Sequence, residues 1–172
     1  MGKRSNFERK ERDCYDTPHE AVIPLLKHLN PKTLFDEPCA GNGFLIRALQ
    51  NEGHICVKAS DTHPGDTKKM ETIDVFNLKL TMAEYFITNP PWSRDILHPL
   101  IWHLSGMAPT WLLFDADWMH TKQSAGFMGR CRKIVSIGRV KWIPDSKHTG
   151  KDNCCWYLFD KYCGETEFFG RP

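Results

Sequence analysis

Long apolar runs are missing from this 172-residue sequence. None approaches the roughly 18 consecutive residues that a membrane-spanning helix needs. A signal-peptide pattern is missing too, and the seven cysteines are odd in number and scattered along the chain. We therefore expect an intracellular, cytoplasmic protein whose thiols are reduced. No internal repeat or low-complexity segment is found.

The spacing of cysteines and histidines that is typical of zinc sites is also missing. The sequence contains no CxxC pair, and the one set of residues that could be considered matches no zinc motif. That set is His148, Cys154, Cys155 and Cys163. We predict no metal site, and we expect Cys155 to pack inside a strand.

The composition is sufficient for a folded core. Hydrophobic residues make up 41% of the chain and charged residues 26%, which does not indicate general disorder. The length fits one domain. We predict a single domain over residues 14–172, preceded by a flexible charged arm over residues 1–13.

The basic residues are unevenly distributed, although the formal net charge is only +2. Between His120 and Lys151 there are eight lysines and arginines, opposed only by Asp145. Such a local excess favours a nucleic-acid partner, and the alternative is a solvated basic face. The candidate nucleic-acid contacts are Lys122, Arg130, Arg132, Lys133, Lys141, Lys147 and Lys151.

Strands and helices alternate over the first two thirds of the chain. The apolar patterns predict helices over residues 17–30, 44–51 and 95–104, and strands over 33–36, 55–59, 71–74, 84–88 and 110–115. Thr17 is the predicted cap of the first helix, with Pro18 in its first turn. Two further strands, 133–143 and 154–159, are joined without a helix. The pattern predicts an α/β fold with a doubly wound, mostly parallel, seven-stranded sheet and an antiparallel hairpin at one edge.

A glycine turn follows the first predicted strand. Gly41 and Gly43 allow a sharp turn and a close approach of the backbone to a ligand. The third glycine that a dinucleotide-binding loop requires is absent, because Ile46 occupies its position. This counts against a nicotinamide oxidoreductase. A carboxylate from Glu37 or Asp36 would instead suit an ammonium group, such as that of S-adenosyl-L-methionine.

Two further carboxylates follow successive predicted strands. Asp61 follows the second strand, where an acidic side chain can accept hydrogen bonds from both hydroxyls of a ribose. Asp74 ends the third strand, where it could accept the amino group of an adenine. Each one alone could be an ordinary solvated carboxylate, but their placement after successive strands favours a ligand site.

The segment Asn89, Pro90, Pro91 and Trp92 is the most specific signal in the sequence, and it follows the fourth predicted strand directly. The two prolines fix the backbone and remove two N–H donors, so the groups that remain are hydrogen-bond acceptors. Such a site can accept hydrogen bonds from a planar NH2 group while Trp92 stacks on the attached ring. A proline turn beside a core tryptophan is the structural alternative.

Taken in order, these motifs resemble the amino-directed class I methyltransferases that use S-adenosylmethionine. The match is best with the small phage-type DNA N6-adenine methyltransferases and covers roughly residues 15–160. The resemblance implies that Asn89, Pro90, Pro91 and Trp92 hold the acceptor amine and its base. The cofactor contacts that it implies are Tyr15, Thr17, Pro18, Glu37, Pro38, Cys39, Ala40, Gly41, Asn42, Gly43, Phe44, Asp61, Asp74, Val75, Phe76 and Asn89.

The expected reaction is direct transfer of a methyl group to an amino nitrogen, with adenine N6 in DNA as the first choice of acceptor. The alternatives are an RNA base, cytosine N4, a protein glutamine amide, or an inactive relative that only binds nucleic acid. The large target-recognition region of many DNA methyltransferases is absent. Residues 118–129 and 144–153 are the only candidates for that role.

Overall fold

The computed structural model describes residues 15–65, 70–143 and 149–171, and these residues contain one mixed sheet. Its eight strands run in the order β3-β2-β1-β4-β5-β7-β6-β8. Their bounds are β1 Leu34–Glu37, β2 Ile55–Asp61, β3 Glu71–Thr72, β4 Tyr85–Thr88, β5 Thr110–Asp115, β6 Cys131–Arg139, β7 Asn153–Phe159 and β8 Glu167–Phe169. The predicted arm over residues 1–13 lies outside the described residues.

Within the described residues, four α-helices and three short 3-10 helices connect these strands. The α-helices are α1 His19–Leu26, α2 Phe44–Asn51, α3 Arg94–Met107 and α4 Ala125–Met128. The 3-10 helices cover Val75–Asn77, Ala116–His120 and Lys122–Ser124. The last two, together with α4, cover most of residues 118–129, one of the two segments considered for target recognition.

All strand pairs are parallel except those made by β7, which is antiparallel to both β5 and β6. The predicted α/β fold and antiparallel pairing are therefore confirmed. The expected edge position is wrong, because β7 lies inside the sheet and β8 forms the edge beside β6. The strand β8 adds an eighth member, and β6 ends at Arg139 rather than at residue 143.

The start of the first helix also differs from the prediction. Pro18 occupies the capping position of α1, and no side chain caps the helix. Thr17 is not the cap, because its hydroxyl accepts a hydrogen bond from the Asn89 side chain instead. The helix ends at Leu26, which is four residues before the predicted end at Asn30.

The core is divided between the two faces of the sheet. On one face, α1 and α2 pack over a cluster that includes Phe35, Trp111 and Trp156. The indole N–H of Trp156 donates to the carbonyl of Ala21 at 2.7 Å, which ties α1 to β7. On the other face, α3 packs over an aromatic group that includes Phe114. Burying each large side chain contributes about 1.5–3 kcal/mol to stability.

Candidate functional site

A cleft of about 410 Å³ lies at the carboxyl ends of β1, β2 and β4. The chain leaves β1 toward β2 on one side and reaches β4 on the other, so this is the point where the strand order reverses. Open α/β sheets bind their ligands at such a point. The volume is in the ordinary range for a small-molecule site.

Most of the predicted cofactor residues border this cleft. Those that do are Tyr15, Thr17, Glu37, Pro38, Cys39, Ala40, Gly41, Asn42, Phe44, Asp61, Asp74, Val75, Phe76 and Asn89, with Pro91 beside them. Four predicted site residues do not line it, namely Pro18, Gly43, Pro90 and Trp92. The structure adds Asp16, Leu45, Thr62, His63, Ile96 and Leu100 to the lining.

The glycine turn adopts the conformation that its composition predicts. Gly41 and Gly43 have φ angles of 49° and 72°, in the left-handed region that favours glycine. The backbone N–H of Gly43 donates to the carbonyl of Ala40 at 2.7 Å, which closes the turn. Asn42 Nδ2 donates to Asp16 Oδ1 at 2.9 Å. That bond ties the segment before α1 to the turn.

Glu37 is the buried acid of the cleft. Its side chain is 2% exposed, and its Oε2 atom has no hydrogen-bond partner among the described residues. Burial, together with the nearby Asp61 carboxylate, raises the pKa of Glu37 well above its ordinary value. An unpartnered, buried carboxyl oxygen in a cleft is suited to a cationic group of a ligand.

Asp36, the other acid considered from the sequence, does not border the cleft. Consecutive side chains of a strand point to opposite faces, so Asp36 and Glu37 cannot both face the ligand site. Asp36 Oδ2 accepts a hydrogen bond of 2.6 Å from the hydroxyl of Thr81. Of the two acids, Glu37 is therefore the candidate ligand contact.

Asp61 shapes the cleft through backbone hydrogen bonds. Its Oδ2 accepts from the N–H of Gly41 at 2.8 Å, and its Oδ1 accepts from the N–H of His63 at 2.7 Å. The carboxylate thus connects the end of β2 to the glycine turn. Each carboxylate oxygen has a further lone pair, so the side chain can still accept bonds from a ligand hydroxyl.

Asp74 lies on the exposed side of the cleft. It follows β3 by two residues and caps the short helix Val75–Asn77, accepting the N–H of Phe76 at 3.0 Å. Phe76 itself is 40% exposed and presents an aromatic surface beside this carboxylate. The arrangement is compatible with an adenine ring, which offers both a flat face and an amino group.

The Asn89 amide is held by partners on both of its ends. Its Nδ2 donates to Thr17 Oγ1 at 3.2 Å and to the carbonyl of Tyr15 at 3.5 Å. Its Oδ1 accepts the indole N–H of Trp92 at 3.2 Å. Since an indole N–H can only donate, this network fixes which end of the amide carries oxygen.

Trp92 is more integrated into the core than its predicted stacking role requires. It is half-buried and packs against hydrophobic residues on both faces of the sheet. Its N–H also donates to the carbonyl of Leu113 at 3.1 Å. Trp142 was not among the predicted site residues, but its ring lies 5.8 Å from that of Trp92 and 6.2 Å from that of Tyr15. Trp142 was missed because it was included in a predicted strand.

The basic stretch divides between the two ends of the sheet. The strand β6 is parallel to β5, so its first residues lie at the edge opposite the cleft and its last residue lies at the cleft edge. Arg130, Arg132 and Lys133 are therefore far from the cleft, and the Arg130 guanidinium is held over Trp102 at 4.0 Å. The candidates that remain at the cleft end are Lys122, Lys141 and Lys151, whereas Lys147 lies outside the described residues.

The cysteines considered for zinc do not converge. Cys154 and Cys155 are consecutive in β7, so their side chains belong to the cores on opposite faces of the sheet. Within residues 15–65, 70–143 and 149–171, no cluster of three or more metal-ligating side chains occurs. Among the helices of those ranges, none has the length and apolar character that crossing a bilayer requires.

Comparison with known proteins relates the chain to solved structures. A protein from Pyrococcus horikoshii assigned as an RNA methyltransferase matches with a TM-score of 0.58 and 17% identity, covering 93% of each chain. A protein from Listeria monocytogenes, assigned as a class I S-adenosylmethionine-dependent methyltransferase, matches with a TM-score of 0.54 and 12% identity. That match covers 88% of this chain and 64% of the other. The fold is that of the class I methyltransferases.

A modification subunit assigned to a type I restriction enzyme from Vibrio vulnificus has the same fold. It matches with a TM-score of 0.55 and 12% identity over 91% of this chain, which spans only 46% of that subunit. No protein-family model and no curated protein matches the sequence. The solved structures confirm the class I fold that the motifs predicted. The choice of acceptor has to be argued from the site.

Proposed function

We propose that this protein is an S-adenosylmethionine-dependent methyltransferase that methylates an amino nitrogen, with adenine N6 in DNA as the acceptor. The observation that carries the proposal is the position of Asn89. Its amide stands at the end of β4, borders the same cleft as Glu37, and is oriented by hydrogen bonds on both ends. A methyl donor in the cleft and an amine beside Asn89 would be neighbours.

The residues of the cleft fit the proposed cofactor. The unpartnered Oε2 of Glu37 would accept its ammonium group, and Asp61 would accept the ribose hydroxyls. Asp74 and Phe76 would hold the adenine. The turn at Gly41 brings the backbone close without the third glycine of a pyrophosphate site. When bound, the cofactor supplies an activated methyl group on a sulfonium, so the protein mainly positions the reactants.

Asn89 would orient and polarise the acceptor amine. One lone pair of its Oδ1 is used by Trp92, and the second is available for an N–H of the amine. The carbonyl oxygen of Pro90 is the proposed second acceptor. Both oxygens would stabilise positive charge as it develops on the nitrogen. An amide is not a base at neutral pH, so the proton is expected to leave to water after transfer.

A base within a duplex would have to leave its stack to reach this site. Trp92, with Trp142 beside it, offers an aromatic surface that could replace part of the lost stacking. Lys122, Lys141 and Lys151 are the members of the predicted basic set that lie at the cleft edge and could meet a nucleic-acid backbone. One structural neighbour is assigned as an RNA methyltransferase and another as a modification subunit of a type I restriction enzyme, so both RNA and DNA belong in the test.

Two measurements test the proposal. Calorimetry should show that S-adenosylmethionine and its demethylated product bind more tightly than a nicotinamide dinucleotide. Incubation with methyl-labelled cofactor and separate DNA, RNA and protein substrates should label DNA, and digestion to nucleosides should identify N6-methyladenine. Tighter binding of the dinucleotide would refute the cofactor. Label in RNA, cytosine or glutamine would refute the acceptor alone.

A further inference from the structure

A second recess, of about 230 Å³, lies between the end of β6 and the start of α1. Three cationic side chains border it, namely Arg139, Lys141 and Arg171. Among the described residues, Glu20 is the one carboxylate in its lining. The recess is therefore a concave surface with an excess of positive charge.

The geometry of β6 makes room for one of these cations. The register of β6 against β7 shifts between Ser136 and Gly138, and Gly138 has a φ angle of 74°. A Cβ atom at position 138 would lie 3.1 Å from Nη1 of Arg171 and 3.3 Å from its Cζ. The absence of a side chain at Gly138 thus lets the Arg171 guanidinium lie against the strand. Such irregularities redirect side chains at the ends of strands.

None of the three cations is paired directly with a carboxylate of the described residues. Within the described part of the chain, none of them forms a salt bridge or a side-chain hydrogen bond. Like charges gathered in a concave surface raise the local potential and attract an anion. Two guanidinium groups offer paired N–H donors whose spacing suits the oxygens of a phosphate.

The recess adjoins the proposed acceptor site. Pro18 borders it, and the neighbouring Thr17 accepts the hydrogen bond from Asn89. We propose that Arg139, Lys141 and Arg171 form a binding site for a backbone phosphodiester of the strand that carries the acceptor base. This inference rests on the proposed nucleic-acid acceptor. It shares only Lys141 with the candidate nucleic-acid contacts predicted from the sequence, and it adds Arg139 and Arg171.

The test uses the double variant Arg139→Gln, Arg171→Gln in the full chain. Its binding to a labelled single strand and to the matching duplex is measured by fluorescence anisotropy at several salt concentrations. Affinity should fall at least about tenfold, because hydrogen bonds to a charged group are lost. The slope of log affinity against log salt should decrease by about one for the lost phosphate contact. The matched control is Lys27→Gln, Lys161→Gln, which removes the same charge from two exposed residues that do not line the recess.

The outcomes separate this inference from the proposed function. If the wild-type protein methylates DNA while the double variant keeps the same affinity and salt slope, the recess proposal fails and the function stands. If the control loses as much affinity as the double variant, general charge explains binding and the recess proposal also fails. If the wild-type protein binds neither the single strand nor the duplex, the recess proposal is refuted outright. Inorganic phosphate could also raise the melting temperature of the wild type but not that of the double variant, while the two proteins bind the strand equally well. That result would assign the recess to a small anion and overturn the proposal. Transfer only to a non-nucleic amine would refute the nucleic-acid acceptor and, with it, the recess proposal.

Discussion

The indole N–H of Trp92 lies 3.2 Å from Asn89 Oδ1 and donates to it. The side chain predicted to stack on an acceptor base is therefore also a partner of the side chain predicted to polarise that base. The same N–H is shared with the carbonyl of Leu113 at 3.1 Å. Changes at Trp92 consequently affect two functions, and variants must be chosen to separate them.

Replacing Asn89 by alanine tests the polarising role. We expect Asn89→Ala to reduce single-turnover methylation by about 100- to 1000-fold, the usual effect of losing a preorganised polar group at the reacting centre. Cofactor affinity and melting temperature should change little, because the half-buried amide is bonded to only a few neighbours. Normal methylation by a well-folded Asn89→Ala protein would refute the mechanism.

The stacking and positioning roles of Trp92 separate in two variants. Trp92→Phe keeps an aromatic ring and removes the N–H, so the turnover rate should fall by roughly tenfold while acceptor affinity is largely retained. Trp92→Ala also removes the stacking surface, and acceptor binding should then weaken by about 1–3 kcal/mol. Both are measured as kcat and KM beside thermal stability. Equal losses of melting temperature and of cofactor affinity in both variants would indicate that Trp92 is only a core residue.

Some elements were predictable to the residue because their ends carry local signals. The helix Phe44–Asn51 begins after Gly43 and is closed by Gly53, and the strand Thr110–Asp115 is a continuous apolar run. The cleft was predictable in outline, since motifs at the carboxyl ends of parallel strands must converge. Three residues of β8 give no periodicity, so that strand could not be identified from the sequence.

Other features depend on contacts between distant parts of the chain. Thr17 is of a residue type that commonly caps helices, but its hydrogen-bond partner is Asn89, which is 72 positions away. The basic stretch is continuous in sequence, yet a nine-residue strand separates its parts by about 30 Å. Local patterns therefore identified the chemistry of the side chains more reliably than their placement.

Thr17 offers a test of how Asn89 is positioned. Thr17→Val keeps the shape of the side chain and removes the acceptor of Asn89 Nδ2. The amide would keep only its longer bond, to the carbonyl of Tyr15, and would be less firmly oriented, so kcat should fall by roughly tenfold. Thr17→Ser, which retains the hydroxyl, should restore kcat. If valine and serine reduce kcat equally, Thr17 acts through packing and not through Asn89.

Glu37 connects cofactor binding to pH. Burial raises the pKa of Glu37 in the cofactor-free protein, so this side chain keeps its proton to a higher pH than an exposed glutamate does. A bound ammonium group would stabilise the carboxylate and release that proton. Cofactor affinity should therefore increase as the pH rises toward the raised pKa and become constant above it. Calorimetry in buffers of different ionisation enthalpy measures the released proton.

Glu37→Gln should separate binding from stability. The variant cannot ionise, so its cofactor affinity should be independent of pH in this range and lower than that of the wild type at neutral pH. A decrease of roughly tenfold or more is expected for a lost hydrogen bond to a charged group.

The pH dependence has the opposite sign for the stability of the cofactor-free protein. A carboxyl group whose pKa is raised by folding makes unfolding easier as the pH rises from its ordinary value through the raised value. Glu37→Gln removes that loss, so at neutral pH its free energy of unfolding should equal or exceed that of the wild type. A variant that binds the cofactor normally at every pH would show that Glu37 does not contact the ammonium group.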